Sequence, residues 1–175
     1  GIEARVHPTL IRKGHPLASI NGVLNAVLME ADPLGDVMLS GEGAGQMAAA
    51  SGVVSDLINL ATRGDCDPSS FIGNYFHEAK GLRLTNIDHI ATKFYVRFTA
   101  VDKPGVLSKI AGVFGRYGIG INSVSQKTHS PSGAVPLIII TDCAPEQKVR
   151  QALKHIHDKL SVIKSKPVAI RMENL

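Results

Sequence analysis

The stretch Lys93–Asn122, KFYVRFTAVDKPGVLSKIAGVFGRYGIGIN, decides the fold of this 175-residue chain. Its first part alternates, with four apolar residues on one face: Phe94, Val96, Phe98 and Ala100. Alternation of period two predicts a half-buried β-strand. Apolar residues then recur with the spacing of a helix, at Leu107, Ile110, Ala111 and Phe114. Because Gly118 can end this helix and a second strand is expected from about Ile121 to Lys127, the stretch predicts a strand–helix–strand unit.

The turn before this helix combines three residues that suit a helix start. Asp102 can cap a helix through its carboxylate, and proline, here Pro104, is favoured in the first turn. Gly105 tolerates close approach of another backbone or a ligand. The sequence therefore predicts Asp102 as the helix cap, with free backbone N–H groups next to it.

A second strand–helix–strand unit follows the first. Ala134–Thr141 is predicted to be a strand, and Pro145 opens a helix. The apolar stripe of this helix comprises Val149, Ala152, Leu153, Ile156 and Leu160. A last strand alternates from Val168 to Met172. Two such units predict an α+β fold, a ferredoxin-like βαββαβ domain with both helices on one face of a four-stranded sheet.

These motifs resemble the ACT domain, a small regulatory module that binds amino acids where two copies meet. The likeness rests on Asp102–Leu107 (DKPGVL) after a strand and Tyr117–Ile121 (YGIGI) after a helix. It covers roughly Lys93 to Asn174. Gly120 stands where many amino-acid-binding members carry Asn.

The N-terminal part contains fewer elements. Alternation predicts a strand within Ile2–Ile11 and a hairpin of Val23–Met29 with Asp36–Ser40. A helix ending at Gly64 carries the most regular apolar stripe of the chain: Ala50, Val53, Val54, Leu57, Ile58 and Ala61. These elements are too few to enclose a core, so we expect this part to belong to a larger domain.

The order of motifs here resembles the end of homoserine dehydrogenase. The motifs are VHPTL at Val6–Leu10, HPLA at His15–Ala18, NGVLNA at Asn21–Ala26 and GEGAG at Gly41–Gly45, which leads into Ala49–Leu57. The two resemblances together imply three parts: the end of the catalytic region over residues 1–64, a linker over 65–92 and an ACT regulatory domain over 93–175. They imply an NAD(P)-dependent enzyme of threonine and methionine biosynthesis, which interconverts homoserine and aspartate semialdehyde. They also imply that the catalytic residues lie upstream, so we expect the chain to be a fragment that is inactive alone.

Two glycines are the cofactor candidates. Glycines at a strand-to-helix junction let the backbone approach a phosphate, although the pattern alone is weak and favours a tight turn that gives close packing. The resemblance implies that Gly45 lies against NADP or NAD, with Gly43 as a second candidate.

The turn of the ACT-like part is the effector candidate. The N–H groups of Gly105, Val106 and Leu107 suit a ligand carboxylate, and Asp102 suits an ammonium group. Gly120 and Ile121 are expected to face this turn from the next strand. A small amino acid is therefore the predicted effector, with threonine the first candidate because the implied pathway leads to it.

Composition sets the remaining expectations. The net charge is +4, but Lys and Arg are spread along the chain, which favours a solvated surface over a nucleic-acid interface. No apolar run is long enough to span a membrane, and Cys66 and Cys143 lack metal-ligand spacing. We expect no nucleic acid, membrane or metal partner, a cytoplasmic location, and a homo-oligomer formed through the ACT domain and the catalytic-region strands.

Two other functions are compatible with the fold. A free-standing amino-acid sensor would differ from an enzyme in lacking an upstream dinucleotide-binding fingerprint. An RNA-binding ferredoxin-like domain would stack bases on strand aromatics, and Ala134–Thr141 has none.

Overall fold

The computed structural model describes residues 1–63, 81, 83–126 and 133–173. Its elements in chain order are β1 (Thr9–Leu10), β2 (Leu24–Ala31), β3 (Gly35–Glu42), α1 (Gln46–Arg63), β4 (Ala91–Val101), α2 (Val106–Arg116), β5 (Ile121–Gln126), β6 (Ala134–Thr141), β7 (Ala144–Pro145), α3 (Glu146–Lys159) and β8 (Val168–Met172). Short 3-10 helices span Pro16–Ser19 and Ile87–His89. The chain forms two compact units, one of Gly1–Ile11 with Leu82–Leu175 and one of Arg12–Gly81.

The first unit has the predicted ferredoxin-like topology. Its sheet has the strand order β1-β8-β4-β6-β5, and β7 pairs with the start of β4. Strands β6 and β8 are antiparallel to β4, and β5 is antiparallel to β6. The central four strands with α2 and α3 therefore confirm the βαββαβ arrangement.

The sequence analysis did not anticipate β7, nor the place of β1 in this sheet. β1 pairs in parallel with β8, and the Glu173 N–H donates to the Leu10 carbonyl over 3.1 Å. Arg5 supports this edge through an ion pair with Glu173, 2.8 Å long. The strand expected within Ile2–Ile11 is thus only two residues long. The first eleven residues belong to the same compact unit as the C-terminal module, whereas the sequence analysis grouped them with the hairpin.

The core lies between the sheet and its two helices. Alternate residues of β4 are buried as the sequence predicted, including Phe94, Val96 and Phe98. In α2 the buried residues are Val106, Ile110, Val113 and Phe114. Leu107, predicted in the apolar stripe, is 40% exposed. The buried face of the helix is therefore rotated from the predicted stripe, toward Val106 and Val113.

Gly118 ends α2 as predicted. It has a φ of 68°, the left-handed conformation that glycine adopts without a steric cost. The next residue, Ile119, donates its N–H to the Phe114 carbonyl over 2.9 Å, which satisfies one of the last carbonyls of the helix.

The second unit consists of the predicted hairpin and helix. β2 and β3 are antiparallel, with Val27 opposite Leu39 and Met29 opposite Val37. Helix α1 begins at Gln46, earlier than its apolar stripe indicated. Within 12–62 no residue is buried, and Leu39, Val53 and Leu57 are each about 60% exposed. Gly64 and the linker residues 65–80 lie outside the described residues.

Candidate functional site

A cleft of about 380 Å³ lies beside the turn that connects β4 to α2. Its lining residues are Ala100, Val101, Asp102, Lys103, Pro104, Gly105, Val106, Leu107, Gln126, Val135 and Leu137. Four of the predicted effector residues, Asp102, Gly105, Val106 and Leu107, are therefore together in one concave site. This volume is in the range of small-molecule pockets.

The backbone of the turn differs from the prediction that Asp102 caps the helix. The N-cap is Gly105, with a φ of 84°, and it has no side chain to form a capping hydrogen bond. Lys103 donates its N–H to the Val101 carbonyl over 3.0 Å, and the Val106 N–H reaches the Lys103 carbonyl over 3.4 Å. The turn occupies the residues between Asp102 and Gly105, so Asp102 is three positions too early to cap.

This arrangement leaves the helix start open toward the cleft. The first backbone hydrogen bond of α2 runs from the Lys109 N–H to the Gly105 carbonyl, 3.1 Å. The N-cap Gly105 has no side chain with which to accept a hydrogen bond from the N–H groups of the first turn. They carry the positive end of the helix dipole, which favours an anion.

Asp102 lines the same cleft from the end of β4. Its backbone N–H donates to the Gly133 carbonyl over 3.3 Å, which ties the turn to the segment before β6. A carboxylate and a helix N-terminus thus border one cavity. Together they offer a negative and a positive end, as a zwitterion requires.

Gly120 and Ile121 are not at this cleft. β4 and β5 are both antiparallel to β6, so they run parallel, and the start of β5 lies at the opposite end of the sheet from the end of β4. Gly120 packs instead against Asp142, whose N–H donates to the Gly120 carbonyl over 2.9 Å. A Cβ on Gly120 would collide with the Asp142 carboxylate and would press on the Asp142 Cβ at 3.2 Å, so packing favours glycine there. The prediction that these two residues face the turn within one chain is wrong.

Gln126 is the cleft residue that the sequence analysis missed. It is the last residue of β5 and pairs in register with Leu137, which is buried under the helices. Since paired residues of adjacent strands point to the same face, Gln126 lies on the helix-facing side. A polar residue at an inward position of a strand is the signal that could have identified it.

The two candidate cofactor glycines have different structural settings. A Cβ on Gly43 would collide with the side-chain amide of Asn25, so packing explains this glycine. Gly45 has a φ of 113°, and a Cβ there would meet no atom within 4 Å. Its carbonyl accepts the first hydrogen bond of α1, from the Ala49 N–H over 3.0 Å. The backbone at Gly45 is therefore open at a helix start, which fits a dinucleotide phosphate better than Gly43 does.

Two further kinds of site are absent from the described residues. No group of three His, Cys, Asp or Glu side chains within them has metal-binding geometry. In that same part of the chain, no helix has the length and apolar content needed to cross a bilayer.

Residues 1–58 match the family model of homoserine dehydrogenase, and residues 94–158 match that of the ACT domain. The chain carries a homoserine dehydrogenase segment followed by an ACT domain. Both resemblances drawn from the sequence motifs are thereby confirmed, and the cleft described above lies in the ACT domain.

Known proteins match the chain over nearly its whole length. A homoserine dehydrogenase of Synechocystis is 38% identical over 174 residues, which are 98% of this chain and 40% of that protein. One of Pseudomonas aeruginosa is 34% identical over 100% of this chain and 41% of that protein. The crystal structure of a homoserine dehydrogenase from Thiobacillus denitrificans gives a TM-score of 0.77 at 30% identity, over 99% of this chain and 39% of that one. The chain thus spans about two fifths of the length of these relatives.

Proposed function

We propose that this chain is the regulatory and C-terminal part of an NAD(P)-dependent homoserine dehydrogenase, whose ACT domain binds a small amino acid in the cleft at Asp102–Leu107. The observation that carries the proposal is that this cleft joins a helix start whose N-cap is a glycine, a carboxylate and an amide side chain. The proteins that match the chain are homoserine dehydrogenases.

Each end of an amino acid has a partner in this cleft. The ligand carboxylate would accept hydrogen bonds from first-turn N–H groups such as that of Leu107, where the helix dipole favours negative charge. Its ammonium group would pair with Asp102. Gln126 would hydrogen-bond a polar side chain, which favours threonine over an aliphatic amino acid of similar size.

Gln126→Leu tests this assignment. Calorimetry on the 175-residue chain with L-threonine, L-valine and the other common amino acids would measure affinity directly. Losing one hydrogen bond should weaken threonine binding by about threefold to tenfold, while valine binding should not weaken. Gln151→Leu is the matched control, because Gln151 is exposed on α3 and does not line the cleft.

The outcomes separate the possibilities. If no amino acid binds, or if Gln126→Leu and Gln151→Leu behave alike, the cleft does not recognise threonine through Gln126. Threonine methyl ester should bind far more weakly than threonine, because the ester cannot place a full negative charge at the helix start. Equal binding of the two would contradict the proposed orientation.

The cofactor proposal concerns Gly45. NAD(P) supplies or accepts the hydride when bound, and the Gly45 backbone would approach its phosphates, with Gly43 serving packing. Because the chain corresponds to only about two fifths of its relatives, the purified chain should form no NAD(P)H from homoserine. Sustained turnover by material free of other dehydrogenases would contradict this, and would leave the amino-acid-binding proposal untouched.

We also propose that the chain forms homo-oligomers through the ACT domain and the catalytic-region strands. Two surfaces support this: the outer edge of β5 pairs with no described strand, and the hairpin exposes Val27, Met29 and Leu39. Sedimentation velocity at high micromolar concentration should detect dimers or larger species. A purely monomeric species would contradict the proposal. We also propose a cytoplasmic location for the protein.

A further inference from the structure

A second cavity lies in the ACT domain, away from the cleft at Asp102–Leu107. Its volume is about 410 Å³, and it opens between α3 and β8. The lining residues are Phe94, Glu146, Val149, Arg150, Leu153, Lys154, His157, Asp158, Lys166, Pro167 and Ala169. None of these residues lines the first cleft, so the two cavities are separate.

The packing of α3 explains why this groove exists. Val149, Ala152 and Ile156 of α3 are buried under the helix, whereas Ala169 on β8 remains exposed. The chain between α3 and β8 first pairs with the end of β4, where Lys164 donates its N–H to the Thr99 carbonyl over 2.8 Å. It then reaches β8 through Lys166 and Pro167, which form one wall of the groove. The exposed apolar surface of the groove therefore comes mainly from Leu153, Pro167 and Ala169, while Phe94 and Val149 lie nearly buried beneath it.

The charges at the rim are not balanced. Glu146 forms a two-pronged ion pair with Arg171, at 2.7 and 2.8 Å, so its charge is already compensated. Arg150 pairs with Asp88 at 2.9 Å. Lys154 and Lys166 have no ion-pair partner in the described part of the chain, and Asp158 is the remaining acid at the rim. The ammonium groups of Lys154 and Lys166 therefore border an apolar groove in which Asp158 is the one uncompensated carboxylate among the lining residues.

We propose that this groove binds a small monocarboxylate with an apolar body, distinct from the amino acid of the first cleft. The apolar body would cover Leu153, Pro167 and Ala169, and the carboxylate would lie between Lys154 and Lys166. A free amino acid fits less well, because its ammonium group would lie beside these lysines. Lys154 is outside the last turn of α3, so the negative end of the helix dipole opposes the carboxylate only weakly.

The test uses 3-phenylpropanoate and its neutral amide, 3-phenylpropanamide, which differ in charge but hardly in shape. Titration of the ¹⁵N-labelled 175-residue chain with each probe would follow the amide signals that line the groove. The acid should bind in the millimolar range expected for a ligand of this size. The amide should bind about fivefold more weakly, which corresponds to two exposed ion pairs. Raising the salt concentration should weaken binding of the acid alone.

Three variants locate the site. Ala169→Phe places a ring in the groove from an exposed position and should abolish binding of both probes. Lys154→Met with Lys166→Met keeps most of the apolar stems and should make the acid bind like the amide. Lys148→Met is the control, because Lys148 lies on the same helix beside Gly118 and outside the groove.

Four results would overturn the proposal. The first is an absence of signal changes with millimolar acid, and the second is equal affinity for acid and amide. The third is binding that survives in Ala169→Phe, and the fourth is an equal loss of binding in Lys148→Met. Signal changes confined to Asp102–Leu107 would likewise assign the probe to the first cleft. Since threonine binding at that cleft is measured separately, failure of one proposal leaves the other standing.

Discussion

Two residues near the start of α2 allow the observed orientation of this helix to be tested. Both Ile110 and Leu107 were predicted in its apolar stripe, yet Ile110 is 0% exposed and Leu107 is 40% exposed. Truncation of either residue to alanine removes the same number of carbon atoms. A difference in the free energy of unfolding between Ile110→Ala and Leu107→Ala therefore reports on burial.

The expected magnitudes follow from these exposures. Removing three buried carbons costs about 2.4 kcal/mol in transfer free energy alone, and an enclosed cavity raises this toward 3–4 kcal/mol for Ile110→Ala. Leu107 is on the cleft surface, where solvent can fill the space. Scaling the transfer term by its burial gives about 1.4 kcal/mol as an upper value for Leu107→Ala.

Native-state hydrogen exchange is the suitable measurement, because a chain with two compact units need not unfold in a single transition. Amides in the centres of β4 and β6 report the opening of the ACT domain core. The Ile110→Ala variant should lower their protection by at least about 1.5 kcal/mol more than Leu107→Ala does. Equal losses in the two variants would show that the helix is rotated from the orientation described here.

Three further predictions concern the backbone and ion pairs of the ACT domain. Gly105→Ala should cost about 1–2 kcal/mol in unfolding free energy, because its φ is 84° while the space around its Cβ is free. Unchanged hydrogen-exchange protection in the centres of β4 and β6 would contradict this. Gly120→Ala should also lower the free energy of unfolding of the domain. Adding Asp142→Gly should restore most of that loss in a double-mutant cycle, whereas additive effects would exclude the proposed clash. Glu146→Gln should lower the free energy of unfolding by about 1–2 kcal/mol, because the Glu146–Arg171 pair is largely shielded from solvent. The effect should be much smaller in an Arg171→Met background, and equal costs in both backgrounds would refute the coupling.

The alternating and helical patterns predicted the ACT fold well because each element has one clearly apolar face. Phe94, Val96 and Phe98 are buried as their alternation indicated, and Gly118 ends α2 as its position indicated. These features depend on residues within one element. They are therefore visible in the local sequence.

The candidate site was predicted less completely because it depends on where separate elements meet. The prediction that Asp102 caps α2 was wrong because Lys103, Pro104 and Gly105 lie between Asp102 and the first helical residue, Val106. The position of Gly120 required the strand order, which places the start of β5 far from the turn. Gln126 could be recognised only once its pairing with Leu137 was known. Sequence periodicity gives the face of each residue but does not give the end of the sheet at which a residue lies.

The short strand β1 has a consequence for how this domain should be isolated. A polypeptide that begins at Lys93, as the sequence division implied, lacks Arg5, Thr9 and Leu10. The hydrogen-bonding groups along the outer side of β8 would then face solvent and could pair with another copy. Oligomers of such a shortened polypeptide could then form through the unpaired edge of β8, which β1 covers in the longer chain. Association states should therefore be measured on a polypeptide that keeps its first eleven residues.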